Sequence, residues 1–139
     1  MLIKMNNKEI TIDATQSVLG RIAALAAKQS LLGKSITIIN CNQAIITGNK
    51  PTILEKYKTL RAKGGSSLKG PKISKTPEKL MKRTIRGMLS HRQARGKQAL
   101  KRIMCYNTCP AEFENQEKIL LKRLIKTKFI TLLELSKLL

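Results

Sequence analysis

The most concentrated chemistry in this sequence is a run of cations. Residues 79–102, KLMKRTIRGMLSHRQARGKQALKR, contain nine Lys or Arg and no Asp or Glu, and five of the eight arginines of the chain lie there. The planar guanidinium group makes bidentate contacts with phosphate, whereas lysine acts as a point charge. Solvated helix faces usually mix both signs, because acid–base pairs stabilise a helix. The run therefore predicts a surface that binds a polyanion.

The rest of the chain carries far less charge. The 139 residues have a net charge of +20. Residues 56–102 contain sixteen basic side chains and one acid, whereas residues 1–55 contain six and three and residues 103–139 contain six and four. Self-repulsion at this level opposes compaction, so a polyanionic partner is expected to stabilise the fold. Nucleic acid is the commonest such partner, and an anionic membrane surface is the weaker rival.

The type of nucleic acid is narrowed by what the sequence lacks. It has no heptad zipper, no zinc-finger spacing and no clear helix-turn-helix signature. Its aromatic residues are too few for base-stacking platforms, because only Tyr57, Tyr106, Phe113 and Phe129 are available. The mode of binding that is left is contact with the phosphate backbone of a folded nucleic acid. Structured RNA fits this mode best.

Residues suited to catalysis are scarce. His91 is the only histidine and Asp13 the only aspartate, which leaves little for a triad or a paired-carboxylate site. The GKS at 33–35 resembles the end of a phosphate-binding loop, but that motif requires glycine at the position of Lys28. We predict no enzymatic activity and no cofactor.

The three cysteines indicate reduced thiols. Cys41, Cys105 and Cys109 form an odd set without an evident secretory signal, which favours a cytosolic compartment. With His91 they could form a zinc site, but the usual second knuckle pair is missing. Buried structural thiols are the preferred interpretation, and we predict no metal site. No apolar run approaches the eighteen residues of a membrane span. Residues 119–139 could suit a membrane surface, but a docked terminal strand and helix is simpler.

The first elements form a βαβ unit. Residues 10–13 alternate and are β-branched, which favours a strand. Ser17 is predicted to cap a helix that ends at Gly33. The apolar run at 35–40 is typical of a strand covered on both faces. We therefore expect a parallel sheet with a right-handed crossover.

The middle of the chain is predicted to contain two short helices and a loop. Asn42 is expected to cap a helix over QAIIT that closes at Gly48, and Pro51 is expected to begin the next one. Residues 61–75, rich in Gly, Ser and Lys, are predicted to form a flexible basic loop that cannot pack a core.

The cations of residues 79–102 are predicted to lie on helices. Thr76-Pro77-Glu78 is a strong helix start, and this helix should run to Leu89 with one apolar and one cationic side. A second helix from about Gln93 should lead into a strand over 102–106. The capping box from Thr131 to Glu134 predicts a short terminal helix.

Several blocks in order resemble the large-subunit ribosomal protein L13 family, in its archaeal and eukaryotic form. They are IDATQSVLGRIAALAAK (12–28), IINCNQAIITGNK (38–50), KYK (56–58), KRTIRGML (82–89), RGKQALKRIMCY (95–106) and PAEF (110–113). The ending FITLLELSKLL is similar to the archaeal form. The resemblance implies a single α/β domain, with a central parallel sheet flanked by helices in three layers. The core, residues 1–113, would carry the basic loop, and residues 114–139 would form a C-terminal extension.

The resemblance also implies a function and a set of binding residues. The protein would be a structural constituent of the large ribosomal subunit in the cytoplasm, with ribosomal RNA and neighbouring ribosomal proteins as partners. The family's RNA-facing motifs fall on Arg21, on 48–50, on 83–87 and on 95–97. Ser90 and Thr108 depart from the family, which has Pro and Gly there. Together with the charge pattern, the predicted RNA-binding residues are Arg21, Gly48, Asn49, Lys50, Lys56, Lys58, Arg61, Lys63, Lys69, Lys72, Lys82, Arg83, Arg86, Gly87, Arg92, Arg95, Gly96, Lys97 and Lys101. The alternative is a generic nucleic-acid chaperone or nucleoid-type protein.

Overall fold

The β-branched residues after position 8 form a strand, and the chain then turns into a helix and a second strand. The computed structural model describes residues 8–63, 70 and 72–139. Strand β1 is Glu9–Asp13, helix α1 is Leu19–Leu31 and strand β2 is Ser35–Ile39. β1 and β2 pair in parallel, with Ile12 beside Ile38. The predicted βαβ unit is therefore confirmed.

The other elements follow in an order close to the predicted one. They are a 3-10 turn at Cys41–Gln43, β3 (Ile45–Thr47), α2 (Lys50–Ala62), α3 (Pro77–Met88), α4 (Ala94–Lys101), β4 (Ile103–Cys105), a second 3-10 turn at Ala111–Phe113, β5 (Lys118–Leu120), β6 (Phe129–Thr131) and α5 (Leu132–Leu138). The starts predicted for α3, α4 and β4 are each within a residue or two of those observed.

The main sheet has the order β4-β2-β1-β5, and all its neighbours are parallel. The chain adds strands outward from β1 to β4 and then returns to the other side of β1. Because parallel crossovers are right-handed, this reversal sends the β4–β5 connection across the opposite face from α1. α1 packs against α3 and α4, while on β1 the Thr11 hydroxyl bonds to Gln116. The α/β class, with helices flanking a parallel sheet, is confirmed and is consistent with three layers.

The core is almost wholly aliphatic, as the shortage of aromatics requires. Ile12, Ile38 and Ile103 from the sheet are fully buried, and so are Met81 and Ile85 from α3. Leucine and isoleucine side chains of this kind each stabilise the fold by about 1.5–3 kcal/mol when fully buried.

The end of the chain belongs to this core. β6 pairs antiparallel with β3, with Ile130 beside Ile46, and Ile130, Leu132 and Leu135 are fully buried. The Thr131 hydroxyl accepts a hydrogen bond from the Glu134 amide at 3.2 Å, which confirms the predicted cap of α5. The docked terminal strand and helix are therefore confirmed.

Two local predictions were wrong. Ser17 does not cap α1: the cap residue is Val18, and the Ser17 hydroxyl donates instead to the Thr15 carbonyl. QAIIT does not form a helix, because residues 45–47 form β3. These β-branched residues extend since β6, far along the chain, provides a strand partner.

The predicted loop at 61–75 needs a similar correction. Helix α2 continues to Ala62, and Ile73 is buried in the core cluster, so this segment does contribute to the core. Residues 64–69 and 71 lie outside the described residues.

Candidate nucleic-acid interface

Helix α3 separates its apolar and charged residues. Leu80, Met81 and Ile85 are buried, whereas Lys79 and Arg86 are exposed. This arrangement follows from the 3.6-residue period, which places residues three and four apart on the same face. The cationic side predicted from the sequence is therefore present.

The cations of α3 surround a cavity of about 340 Å³. Its lining residues are Lys72, Ile73, Ser74, Lys79, Lys82, Arg83, Arg86 and Leu100. Five of these carry positive charge and none is acidic. We call the cations of this cavity, together with Arg92, Arg95, Lys97 and Lys101, the basic face.

One side chain of the cavity, Lys82, is held by a hydrogen bond to the backbone. The Lys82 ammonium donates a 3.0 Å hydrogen bond to the Ile103 carbonyl, which holds it against the end of the sheet. Burial raises the pKa of the Tyr57 hydroxyl on α2, and the nearby Arg83 guanidinium partly offsets this. The cavity is bordered by three parts of the chain, since its lining comes from residues 72–74, from α3 and from Leu100 of α4.

The basic face is not neutralised by the chain's own acids. Among the described residues, the one ion pair joins Lys50 and Glu134. Glu78 is the one acid between positions 56 and 102, and it makes no ion pair with the basic face. Unpaired cations so close together repel one another, and a polyanion would relieve that repulsion.

Helix α4 and the turn before it contribute exposed cations. Arg92, Arg95, Lys97 and Lys101 are all exposed. Arg102 is different, because its guanidinium donates a 2.9 Å bond to the Ser30 carbonyl at the end of α1. Of the five basic residues between positions 92 and 102, four therefore face solvent, and the fifth, Arg102, joins two helices.

Three glycines are among the predicted RNA-binding residues, and each has a different environment. A Cβ on Gly96 would lie 2.0 Å from the Ser90 carbonyl oxygen, so this glycine allows close packing within the chain. Gly87 is exposed, and a Cβ there would meet nothing within 4 Å. Gly48 has φ +131°, a conformation that side chains disfavour, and its amide bonds to the Lys128 carbonyl. Of the three, Gly87 alone lacks a structural reason within the described residues.

A second group of predicted residues lies away from the cavity. Arg21 is exposed in the first turn of α1, and Asn49 is the exposed cap residue of α2. Lys50 begins α2 and bonds to Glu134, so its charge is already partly compensated. None of these residues lines the α3 cavity.

The remaining predicted residues follow α2. Lys56, Lys58 and Lys63 are exposed. The Arg61 guanidinium donates a 2.7 Å bond to the backbone oxygen of Leu139, which ties the end of α2 to the end of the chain. Lys69 lies outside the described residues.

Lys79 lines the cavity, although it is not among the predicted binding residues. Lys79, Lys82, Arg83 and Arg86 have the i, i+3, i+4, i+7 spacing of one helix face, so this signal was available. Lys122 and Arg123 are two further cations outside the predicted set. They are exposed in an irregular segment after β5, where no periodicity marks them.

Asp13, the one aspartate of the chain, has a structural role. One oxygen of Asp13 accepts bonds from the Thr15 amide and hydroxyl and from the Asn40 amide group. Burial alone would raise the pKa of this carboxyl, but these hydrogen bonds outweigh it and lower the pKa below 3.8. Asp13 therefore joins the ends of β1 and β2.

The three cysteines are free thiols, of which Cys41 is buried and Cys105 and Cys109 are half-buried. The hydrogen bond with Cys105, and then burial, raise the pKa of the Cys41 thiol, so Cys41 is expected to stay protonated and unreactive. Within residues 8–63, 70 and 72–139, no three His, Cys, Asp or Glu side chains cluster as ligands for a metal ion. None of the helices described is both long and apolar enough to cross a bilayer.

The fold and this surface define a class: a small basic α/β protein whose charged helical face suits a polyphosphate. The sequence profile of the family described as ribosomal protein L13 matches residues 7–112. Three proteins named large ribosomal subunit protein uL13 are similar to the chain. The one from Archaeoglobus fulgidus is 40% identical over 91% of this chain and 84% of its own length. Those from Picrophilus torridus and Thermoplasma acidophilum are 42% and 41% identical, over 94% and 91% of this chain and 96% and 94% of their own lengths. The chain belongs to the ribosomal protein L13 family and is of the archaeal type.

Proposed function

We propose that this protein is a structural constituent of the large ribosomal subunit and binds ribosomal RNA through the basic face. Its relatives are named as large-subunit proteins, which places its work in translation, within cytoplasmic ribosomes. The family is one of structural proteins, so the protein is not an enzyme.

The cavity beside α3 is the observation that carries this proposal. Lys72, Lys79, Lys82, Arg83 and Arg86 converge on it without an acid in its lining. Guanidinium and ammonium groups in this arrangement can contact several phosphates of one folded RNA segment. An apolar ligand would leave five charges desolvated and unpaired, which is costly.

The function follows from charge neutralisation and shape. RNA segments that approach one another repel through their phosphates. A rigid helix face that presents cations to two such segments lowers that repulsion and releases counterions. The exposed backbone at Gly87 would allow a phosphate to approach α3 closely. The protein would thus stabilise the folded subunit RNA, with neighbouring ribosomal proteins as its other partners.

Arg21, Gly48, Asn49 and Lys50 would form a separate contact. They lie at the starts of α1 and α2, where amide groups point outward and favour anions. Lys50 could bind RNA only by sharing or releasing Glu134. We therefore expect this second contact to contribute less than the basic face.

The test replaces Arg83, Arg86 and Arg95 with Gln in one variant. We expect reduced incorporation into large subunits, measured by sedimentation and quantitative mass spectrometry, and unchanged unfolding of the free protein. A matched variant with Lys8, Lys28 and Lys34 replaced by Gln loses the same charge elsewhere and should incorporate normally. Equal incorporation of both variants would remove the basic face from the proposal.

The generic chaperone or nucleoid alternative makes a different prediction. Such a protein would bind duplex DNA as tightly as ribosomal RNA at equal salt. The family relationship does not favour it. Competition between the two nucleic acids at physiological salt separates the two functions.

A further inference from the structure

A second concave surface of the protein shares no lining residue with the cavity of the basic face. It is a groove of about 660 Å³ at the carboxyl ends of the parallel strands. Gln16 follows β1, Asn42 and Gln43 follow β2, and 122–125 follow β5. The strand order reverses between β1 and β5, and parallel sheets bind ligands in the crevice at such a reversal.

The groove is mainly apolar. Ile45, Leu124, Ile125, Phe129 and Leu133 line it. The Leu124 side chain is 85% exposed although it is large and apolar. Contiguous exposed apolar surface of this kind marks an interaction site.

Exposed apolar residues concentrate in this part of the chain. Of the ten large hydrophobic side chains that are exposed in the described part of the chain, six belong to the terminal portion: Ile119, Leu120, Leu124, Phe129, Leu133 and Leu138. The basic face shows the opposite composition, since cations dominate it. The two surfaces therefore suit partners of different chemistry.

The groove also has an electrostatic sign. Lys122 and Arg123 are its charged lining residues, and no acid lines it. Gln16, Asn42 and Gln43 supply neutral donors and acceptors on the wall formed after β1 and β2. An apolar group that carries a carboxylate beside it would satisfy both the walls and the cations.

We propose that this groove docks a segment of a neighbouring large-subunit protein, which inserts an aliphatic or aromatic side chain and places an acidic side chain against Lys122 and Arg123. The inference rests on the proposed function, because the subunit supplies the neighbour. A segment with this chemistry would bury Leu124 and Phe129 at the centre of the contact, surrounded by polar groups, which is the usual arrangement at protein interfaces.

An unstacked RNA base is the less favoured occupant. Pockets for bases use aromatic rings or guanidinium planes as stacking platforms. Here the lining offers one aromatic ring, Phe129, and one guanidinium group, Arg123, and the other apolar residues are aliphatic. Aliphatic walls discriminate poorly between bases but pack well against apolar side chains.

The test places a photoreactive benzoylphenylalanine at Leu124, in cells whose large subunits contain the variant. Leu32, which is 66% exposed at the end of α1, provides the matched control position. We expect Leu124 to cross-link to one protein of the purified subunit, at a peptide with an acid within a few residues of the attached apolar side chain. Cross-linking to RNA, to this chain itself, or to nothing would overturn the inference, as would the same product from Leu32.

A charge change then tests the electrostatic part. Arg123→Glu should lower the yield of the Leu124 cross-link by about tenfold or more, since close charge pairs at interfaces are strongly coupled. Reversal of the partner's acid to Lys should restore it. Lys137→Glu, a control at an exposed position of α5 that lies outside the groove lining, should leave the yield unchanged. An unchanged yield with Arg123→Glu would contradict the proposed carboxylate.

Failure of the inference is distinguishable from failure of the proposed function. If the variants enter large subunits but give no protein cross-link, the groove proposal is wrong and the ribosomal role stands. If the unaltered chain does not enter large subunits, both are wrong.

Discussion

Gly87 and Gly96 are the same residue type in neighbouring helices, yet they have opposite environments. Gly96 is buried against the Ser90 carbonyl, and Gly87 is open to solvent. We expect Gly96→Ala to lower the free energy of unfolding by about 2–3 kcal/mol, because backbone atoms must move to admit the methyl group. Gly87→Ala should be neutral or stabilise by up to about 1 kcal/mol, because alanine favours helix. Urea unfolding of the free protein measures both.

The same pair separates stability from binding. If the exposed backbone at Gly87 contacts phosphate, Gly87→Ala should weaken binding to ribosomal RNA while the protein remains as stable as before. Gly96→Ala should bind RNA normally at temperatures where it is folded. Destabilisation by Gly87→Ala, or a harmless Gly96→Ala, would contradict the assignment.

Asp13 is expected to make stability depend on pH in the acidic range. Its pKa in the folded protein lies below the ordinary 3.8, so folding favours the ionised form. The stabilisation is fully present above about pH 5 and is lost as the pH falls through 3.8 toward the folded-state pKa. Asp13→Asn removes this titration, so the variant should be less stable than the wild type at pH 7, and the difference should shrink toward pH 3. Urea unfolding at pH 7, 4 and 3 measures it. A difference that grows on acidification would refute the role.

A control for Asp13 is available on the surface. Glu112→Gln removes an exposed carboxylate, and surface changes of this kind usually alter stability by less than about 0.5 kcal/mol. Its effect should not follow the pH profile of Asp13→Asn.

At the scale of elements, Arg86 and Arg102 show that the basic residues of 79–102 have two roles, one in the proposed binding of RNA and one in joining helices. Arg102 donates to the Ser30 carbonyl and so joins the end of α4 to the end of α1, whereas Arg86 is exposed at the cavity of α3. We expect Arg102→Gln to destabilise the free protein by about 1–2 kcal/mol, because Ser30 loses a charge-assisted bond. Arg86→Gln should change stability by less than about 0.5 kcal/mol and weaken RNA binding instead. Unfolding measures the stability of both variants, and filter binding measures their affinity for RNA. The prediction would be contradicted if Arg86→Gln destabilised the protein and Arg102→Gln weakened RNA binding.

The elements predicted correctly are those with strong local signals. The Pro77 start of α3 and the Thr131 cap are each encoded within a few neighbouring residues, and the βαβ unit follows from three consecutive segments of the chain. β3 was missed because its partner β6 lies in a distant part of the chain, and a sequence window contains no trace of that pairing. The burial of Ile73 was missed for the same reason, since its neighbours in sequence are polar.

The candidate site divides in the same way. The cations of α3 follow from helical periodicity, so their shared face could be predicted. Lys72 shares the cavity with these cations only through the tertiary fold. The role of Gly96 likewise depends on its contact with Ser90. The apolar groove combines residues after β1, β2 and β5, which only the sheet order brings together.

At the scale of the whole molecule, two concave surfaces differ in composition: five cations line the cavity beside α3, whereas five apolar side chains and two cations line the groove. The net charge of +20 is not balanced by ion pairs, because the described residues contain one. Such a protein is expected to carry RNA on the basic face while its groove remains free for a protein neighbour. The two surfaces should therefore respond differently to ionic strength.

Salt dependence of RNA binding gives the final prediction. The logarithm of the affinity for a ribosomal RNA fragment should fall linearly with the logarithm of salt concentration, with a slope that counts neutralised phosphates. Replacing Arg83, Arg86 and Arg95 with Gln should reduce the magnitude of that slope by about 2–3, because each lost phosphate contact contributes about 0.7–0.9. The variant with Lys8, Lys28 and Lys34 replaced by Gln should keep the wild-type slope, although its net charge falls equally. Equal slopes for the two variants would mean that net charge alone, and not the geometry of α3 and α4, determines binding.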